Sequence, residues 1–237
     1  MTAEFLYISQ NKILVSEDCL KPNSEWVHSS VYPHSPDFVW ELNAIQRFVD
    51  EIQDGFSILD IGAKTGCFSL AAKYYPNTKW HSFEPDPFSH SILQKNIELN
   101  KIENVTLYTE ALSNKVGTSF LNIFPEHRGL NTIGDNPTRF AKDQSIQYKV
   151  EVNTIDNLFL ETKIDLIKID TEGSEYDILQ GGIETIRKYR PKILFEFNEE
   201  NLGQCNHTIW ELDTLISELN YEVFWHDNSE NVFIQSK

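Results

Sequence analysis

The chain has 237 residues and a formal charge of −16 at pH 7, which argues against a nucleic-acid substrate, since phosphate backbones require clustered Lys and Arg and none appears. Cys19, Cys67 and Cys205 lie far apart with no C-x-x-C pair, so reduced thiols are expected rather than a disulfide framework or a zinc site. Neither an apolar run of about 18 residues nor a basic region ahead of an apolar core is present, so no membrane span or signal peptide is indicated, and a cytoplasmic location is the expectation.

The length suits one α/β domain, with residues 1–50 as an N-terminal hairpin, loop and helix extension and residues 51–237 as the main body. FLYIS and KILVSE alternate as a short hairpin turning at Gln10 and Asn11. SEWVHSSVYPHSPDF mixes aromatics, histidines and prolines and reads as a loop able to cover the mouth of a site, which makes His28 and His34 candidate substrate contacts. Phe38, Val39, Leu42, Ile45, Phe48, Val49 and Ile52 then recur at helical spacing.

Phe56 to Gly66, FSILDIGAKTG, predicts a strand, a tight turn and a helix beginning near Cys67. Ile58, Leu59 and Ile61 suit a parallel strand buried on both faces. Gly62 and Gly66 permit positive φ and let a ligand lie against the backbone, with Ala63 and Phe68 beside them. In a dinucleotide site the pattern would be G-x-G-x-x-G. Here Asp60 occupies the place of the first glycine, setting a carboxylate where a pyrophosphate must approach. A phosphate-free cofactor carrying an amino group fits better, and S-adenosylmethionine is such a molecule. HSFEPDP supplies a second strand ending in Glu84 and Pro85, with the acid placed to accept both hydroxyls of a ribose.

Pro85 and Pro87 suit a helix start, and Ile92, Leu93, Ile97 and Leu99 its buried stripe. Asn104 to Glu110 predicts a third strand whose end brings Ala111 and Leu112 beside an adenine, and Asn114 to Gly117 a turn. Thr118–Ile123 and Ser145–Val152 alternate as strands around a long polar loop, a connection whose length points to function or mobility. His127, Arg128, Asn131 and Arg139 of that loop form a set suited to a polyhydroxylated or acidic substrate.

In KIDLIKIDTEGSEYDIL a buried strand ends at Asp170, followed by Glu172, Gly173 and a helix from about Ser174 whose first turn Glu175 charges. RPKILFEFN repeats the device with Glu196 and Asn198. Since ligands of open α/β sheets bind beyond the carboxyl ends of the strands, Asp60, Glu84, Asp170 and Glu196 are expected along one rim. A helix over Thr208–Leu219 and a closing antiparallel hairpin, YEVFWHD and NVFIQSK, complete the sheet.

The stretches DIGAKTG, SFEPDP, EALSNKVG, VNTIDNL and, above all, DLIKIDTEGSEYDILQGG followed by PKILFEFN resemble the FkbM family of S-adenosylmethionine-dependent methyltransferases over roughly residues 55–200. The resemblance implies a class I methyltransferase (Rossmann-like) fold, a seven-stranded, mostly parallel sheet with its last strand antiparallel, and O-methylation of a hydroxyl on a sugar, glycan or natural product. Two residues depart from the family's habit: Lys64 stands where Asn is frequent and Thr171 where Val is. A neutral hydroxyl is a poor nucleophile, so a base or a metal must assist its attack. Asp170, Glu172 and Glu196 are the candidate catalytic group, able either to hold Mg²⁺ or, with Asp170 or His127 as base, to remove the proton directly. Arg128, Asn131 and Asn198 join the histidines as candidate acceptor contacts. The rival readings are a non-catalytic cofactor-binding partner module and a nicotinamide-dependent oxidoreductase.

Overall fold

The structure is a computed structural model that describes residues 4–8, 11–15, 36–125, 128–133, 145–226 and 230–237, with side chains from residue 43 onward. Its centre is a twisted sheet of β3 (Ser57–Ile61), β4 (Lys79–Phe83), β5 (Val105–Tyr108), β9 (Leu166–Ile169), β10 (Lys192–Glu196), β11 (Tyr221–His226) and β12 (Asn231–Ser236). The spatial order is β11-β12-β10-β9-β3-β4-β5. β10, β9, β3, β4 and β5 are parallel neighbours, whereas β12 runs antiparallel to both β10 and β11. This is the mostly parallel seven-stranded fold with an antiparallel last strand that the resemblance implied.

The two faces of the sheet explain the near-continuous apolar strands, because successive side chains point to opposite sides and both sides are covered. Ile58, Trp80, Leu166, Leu194 and Phe233 pack on one side against Ala44, Ile45, Phe48 and Val49 of α1 (Pro36–Val49) and against Ile92, Leu93 and Ile97 of α2 (Pro87–Asn100). Leu59, Ile61, Ile167, Ile169, Ile193 and Phe195 pack on the other. There they meet residues of α3 (Ile155–Phe159), α4 (Glu175–Gln180), α5 (Ile183–Tyr189), α6 (Glu199–Gln204) and α7 (Ile209–Glu218).

Several local expectations shift. The helix expected near Cys67 is a 3-10 helix over Ser69–Tyr74, and it ends there because Pro76 disfavours helical φ and ψ at Tyr75 (−126°, 63°). Leu99 is 39% exposed. The buried stripe of α2 continues instead through Asn96 and Asn100, whose amides donate to the carbonyls of Thr65 and Asn96. Asn11 belongs to a strand, because β1 (Glu4–Ile8) and β2 (Asn11–Val15) pair with Ile8 opposite Asn11. β7 (Gly117–Ile123) and β8 (Ile146–Asn153) are antiparallel and form a separate sheet with β6 (Ala111–Leu112). Among the described residues no helix is long and apolar enough to cross a membrane.

Candidate functional site

A cleft opens beyond the carboxyl ends of β3, β4 and β9, and residues of the smaller sheet and its loop form its outer wall. From the glycine turn it takes Ile61, Gly62 and Lys64; from the end of β4, Phe83, Glu84 and Pro85; from the end of β9, Asp170, Thr171 and Glu172. The turn is held tightly. Gly62 and Ala63 both donate to the Phe83 carbonyl, at 3.1 and 2.9 Å, and Asp170 N donates to the Ile61 carbonyl at 3.1 Å. Gly62 has φ +75°, and a Cβ there would lie 1.8 Å from the Asp170 carbonyl oxygen. Only glycine allows these two chain segments to approach so closely.

Glu84 is 7% exposed, and each carboxylate oxygen accepts a backbone N–H at 2.8 Å, Oε2 from Lys64 and Oε1 from Asp86. Burial nevertheless pushes its pKa up to about 7, the two N–H donors offsetting only part of the desolvation. Lys64 donates from a left-handed backbone (φ 52°), a conformation that Asn tolerates better than Lys. The opposite wall is built by Ala111 and Leu112, both buried, and by Leu121 and Ile133. Arg128 and Asn131 also line it. The Arg128 guanidinium bonds Asp86 at 2.7 and 2.9 Å and lies 4.3 Å over the Phe88 ring, so it fastens the loop to the start of α2. Asn131 Oδ1 accepts from Phe124 N, while its Nδ2 is buried with no partner among the described residues.

The acids of the β9 and β10 ends form one group. Asp170, Glu172 and Glu196 each offer a carboxylate oxygen, all within 4.8 Å of one another. Asn201 Nδ2 donates to Glu172 at 2.8 Å and to Glu196 at 3.2 Å. Burial first, and then the charges of Glu172, Asp170, Glu175 and Glu230, raise the Glu196 pKa well above the usual carboxylate range. Glu175 does more than charge a helix end. Fully buried, it accepts from Thr171 N and Thr171 Oγ1, both at 2.9 Å, which gives the Thr at this position a use that Val would lack.

Other expected residues lie elsewhere. Asp60 does not reach the rim. It sits two residues before Gly62 on the pleat facing the 3-10 helix, wholly buried, with Oδ2 accepting from Ser69 Oγ at 2.5 Å. Its carboxylate faces Ser69 and not the cleft, and so would not confront a pyrophosphate there. Ala63, Gly66 and Phe68 are likewise turned into the packed layer beneath the turn, where a Cβ on Gly66 would meet Leu93 at 2.8 Å. Asn198 caps α6, accepting from Asn201 N and donating to Glu230, and does not line the cleft. His28, His34, His127, Arg139 and Cys19 lie outside the described residues. Lys168, marked in the sequence by a charge interrupting the apolar run LIKI, is also buried here.

A mostly parallel sheet in this strand order, with a glycine turn after β3 and a buried acid after the neighbouring β4, defines a class I methyltransferase. The methyltransferase FkbM domain model matches residues 60–223, and the chain belongs to the FkbM family of S-adenosylmethionine-dependent methyltransferases. It is 25% identical over 202 residues to Methyltransferase 1 of Beauveria bassiana, covering 75% of each chain. To the 2-O-methyltransferase NoeI of Sinorhizobium fredii it is 28% identical over 167 residues, spanning 61% of this chain and 64% of that protein. The solved 16S rRNA N2 G1207 methyltransferase of T. thermophilus has a TM-score of 0.54 at 14% identity, matched by all of this chain and 50% of that one, a likeness of fold.

Proposed function

We propose that the protein is an O-methyltransferase that carries the methyl group of S-adenosylmethionine to a hydroxyl of a sugar, glycan or natural product. The observation that supports this reading is that Asp170 and Glu172 line the same cleft as Gly62 and Glu84, so that candidate proton acceptors lie near the residues proposed to hold the nucleoside. Glu84 accepts the ribose hydroxyls with the lone pairs that Lys64 N and Asp86 N leave open. Pro85, Ala111 and Leu112 pack against the base, and Gly62 lets the cofactor lie against the turn. The similarity to a 2-O-methyltransferase supports a hydroxyl acceptor. The charge of −16 favours a small molecule over nucleic acid and suits a cytoplasmic enzyme.

In the transfer, the acceptor oxygen attacks in line, the new O–CH₃ bond forms as the S–CH₃ bond breaks, and the electron pair of that bond remains on sulfur, releasing S-adenosylhomocysteine. The acceptor proton passes to a carboxylate of the Asp170, Glu172 and Glu196 group. Alignment of donor and acceptor supplies much of the rate. The three-carboxylate set also fits Mg²⁺, a cation that takes oxygen ligands and, when bound, lowers the pKa of a coordinated hydroxyl. His127 is the alternative base. Loss of rate on chelation, restored by magnesium, supports the metal; an unchanged rate assigns the proton to the side chains.

The test is methyl transfer from labelled S-adenosylmethionine to a panel of sugars and hydroxylated natural products, with Asp170→Asn in parallel. The reading predicts labelled ether product and a turnover loss of at least about a hundredfold in the variant. Full activity in Asp170→Asn contradicts it. Cofactor binding without transfer to any acceptor favours a non-catalytic partner module, and tighter binding of NAD than of S-adenosylmethionine an oxidoreductase.

A further inference from the structure

Beneath the cleft lies a buried polar row that the chemistry above does not use. The register sets Asp60 beside Ser82 on one neighbouring strand and beside Lys168 on the other. Ser69 Oγ, from the 3-10 helix, sits 2.5 Å from Asp60 and 2.7 Å from Ser82 Oγ. The Lys168 side chain is 5% exposed, with its ammonium 5.2 Å over the Phe68 ring. It donates to the Gly62 carbonyl at 2.8 Å and lies 3.4 Å from Asp60 Oδ1 and 3.7 Å from Asp170 Oδ2.

A lysine in the middle of a parallel strand is costly to bury unless its charge is matched. Asp60 alone would match it. The geometry does more, because the same ammonium touches the carbonyl of the cofactor turn and faces the carboxylate at the end of its own strand. Asp60 fixes the ammonium from below, and the ammonium ties the Gly62 carbonyl to Asp170 above. One cation thus links the two halves of the cleft.

We propose that Lys168 is a positioning residue of the methyl-transfer site, holding the Asp170 carboxylate against the glycine turn so that both meet the cofactor in one arrangement. The inference rests on the reading of this cleft as the S-adenosylmethionine site. Lys168 touches no reacting atom and acts through Asp170.

Calorimetric titration of S-adenosylmethionine and of S-adenosylhomocysteine tests it with Lys168→Met, Asp170→Asn, the two combined, and Asp60→Asn/Lys168→Met, each checked by thermal denaturation. The last variant removes both members of the buried ion pair and keeps the fold measurable where Lys168→Met alone unfolds. Expected are a loss of affinity of about tenfold for Lys168→Met, a similar loss for Asp170→Asn, and a combined variant no weaker than about the worse single one, as residues acting through each other are non-additive. In Asp60→Asn/Lys168→Met the melting temperature recovers while the affinity does not. Because S-adenosylhomocysteine lacks the sulfonium charge, loss of the ammonium beside Asp170 shifts the ratio of the two affinities toward S-adenosylmethionine. If the losses multiply, or if the neutral pair restores affinity along with stability, Lys168 is only the partner of Asp60 and the inference falls. A wild-type chain that binds neither ligand overturns the cleft assignment itself, an outcome distinct from either.

Discussion

The two sides of the cleft are made of the same residue type and arranged in opposite ways. On the β4 side Glu84 is held by backbone donors, with Lys64 N and Asp86 N aimed at its oxygens. On the other side Asp170 and Glu172 line the cleft and crowd against Glu196, which does not line it, with one amide, Asn201, between Glu172 and Glu196. An acid held by N–H groups has its orientation fixed and can accept further hydroxyls, as a ribose requires. Crowded acids repel, and a positive charge or a proton relieves them. Under the proposed function the first side recognises the ribose and the second accepts the acceptor's proton.

The largest expected effect is at the join between them. Gly62→Ala places a methyl group 1.8 Å from the Asp170 carbonyl with φ at +75°, forcing the two sides apart. Strain and overpacking together predict a stability loss of about 3 kcal/mol or more in urea denaturation. Gly55→Ala is the control: φ is +84°, nothing among the described residues lies within 4 Å of an added Cβ, and the strain alone predicts about 1 kcal/mol. Equal losses at the two sites would break the picture of a tight join.

The recognising side predicts a pH dependence. Glu84 has its pKa raised from 4.5 to about 7, so the folded chain holds this proton more strongly than the unfolded one. Its contribution to stability is full below about 4.5 and is lost as pH rises through 7, by up to about 3 kcal/mol. A cofactor whose ribose hydroxyls donate to the ionised carboxylate releases that proton. Calorimetry near pH 6.5, in buffers of different ionisation enthalpy, should therefore register proton release on S-adenosylmethionine binding; proton uptake would contradict this role for Glu84.

Smaller effects sharpen the contrast on the crowded side. Glu196→Gln removes a carboxyl whose ionisation burial and the neighbouring acids oppose, yet can still accept from Asn201, so it is expected to raise stability at neutral pH by about 1 kcal/mol while lowering methyl transfer. Lower stability would mean the cluster is not strained. Arg128→Ala costs least. It frees the loop from Asp86 and Phe88, for about 1 kcal/mol and a few-fold loss of cofactor affinity by calorimetry.

What could be read from the chain follows from local patterning. The glycine turn, the acids at strand ends and the alternating faces all depend on residues near in sequence, and β3, β4, β9 and β10 fall where the apolar runs place them. Register across strands is not local. Nothing in DIGAKTG says that Asp60 faces the 3-10 helix, that Lys168 lies beside it, or that Asn198 turns to cap α6. Leu99 misled because a helix can give its buried stripe to asparagines once a partner carbonyl, here that of Thr65, is supplied from 31 residues away.

The central claim is that Glu84 holds the nucleoside, and titration of S-adenosylmethionine into the wild-type chain and into Glu84→Ala tests it most directly. The account predicts saturable binding to the wild type and at least about tenfold weaker binding to a folded variant, from the loss of hydrogen bonds to a charged group. Equal affinity for both proteins would contradict it.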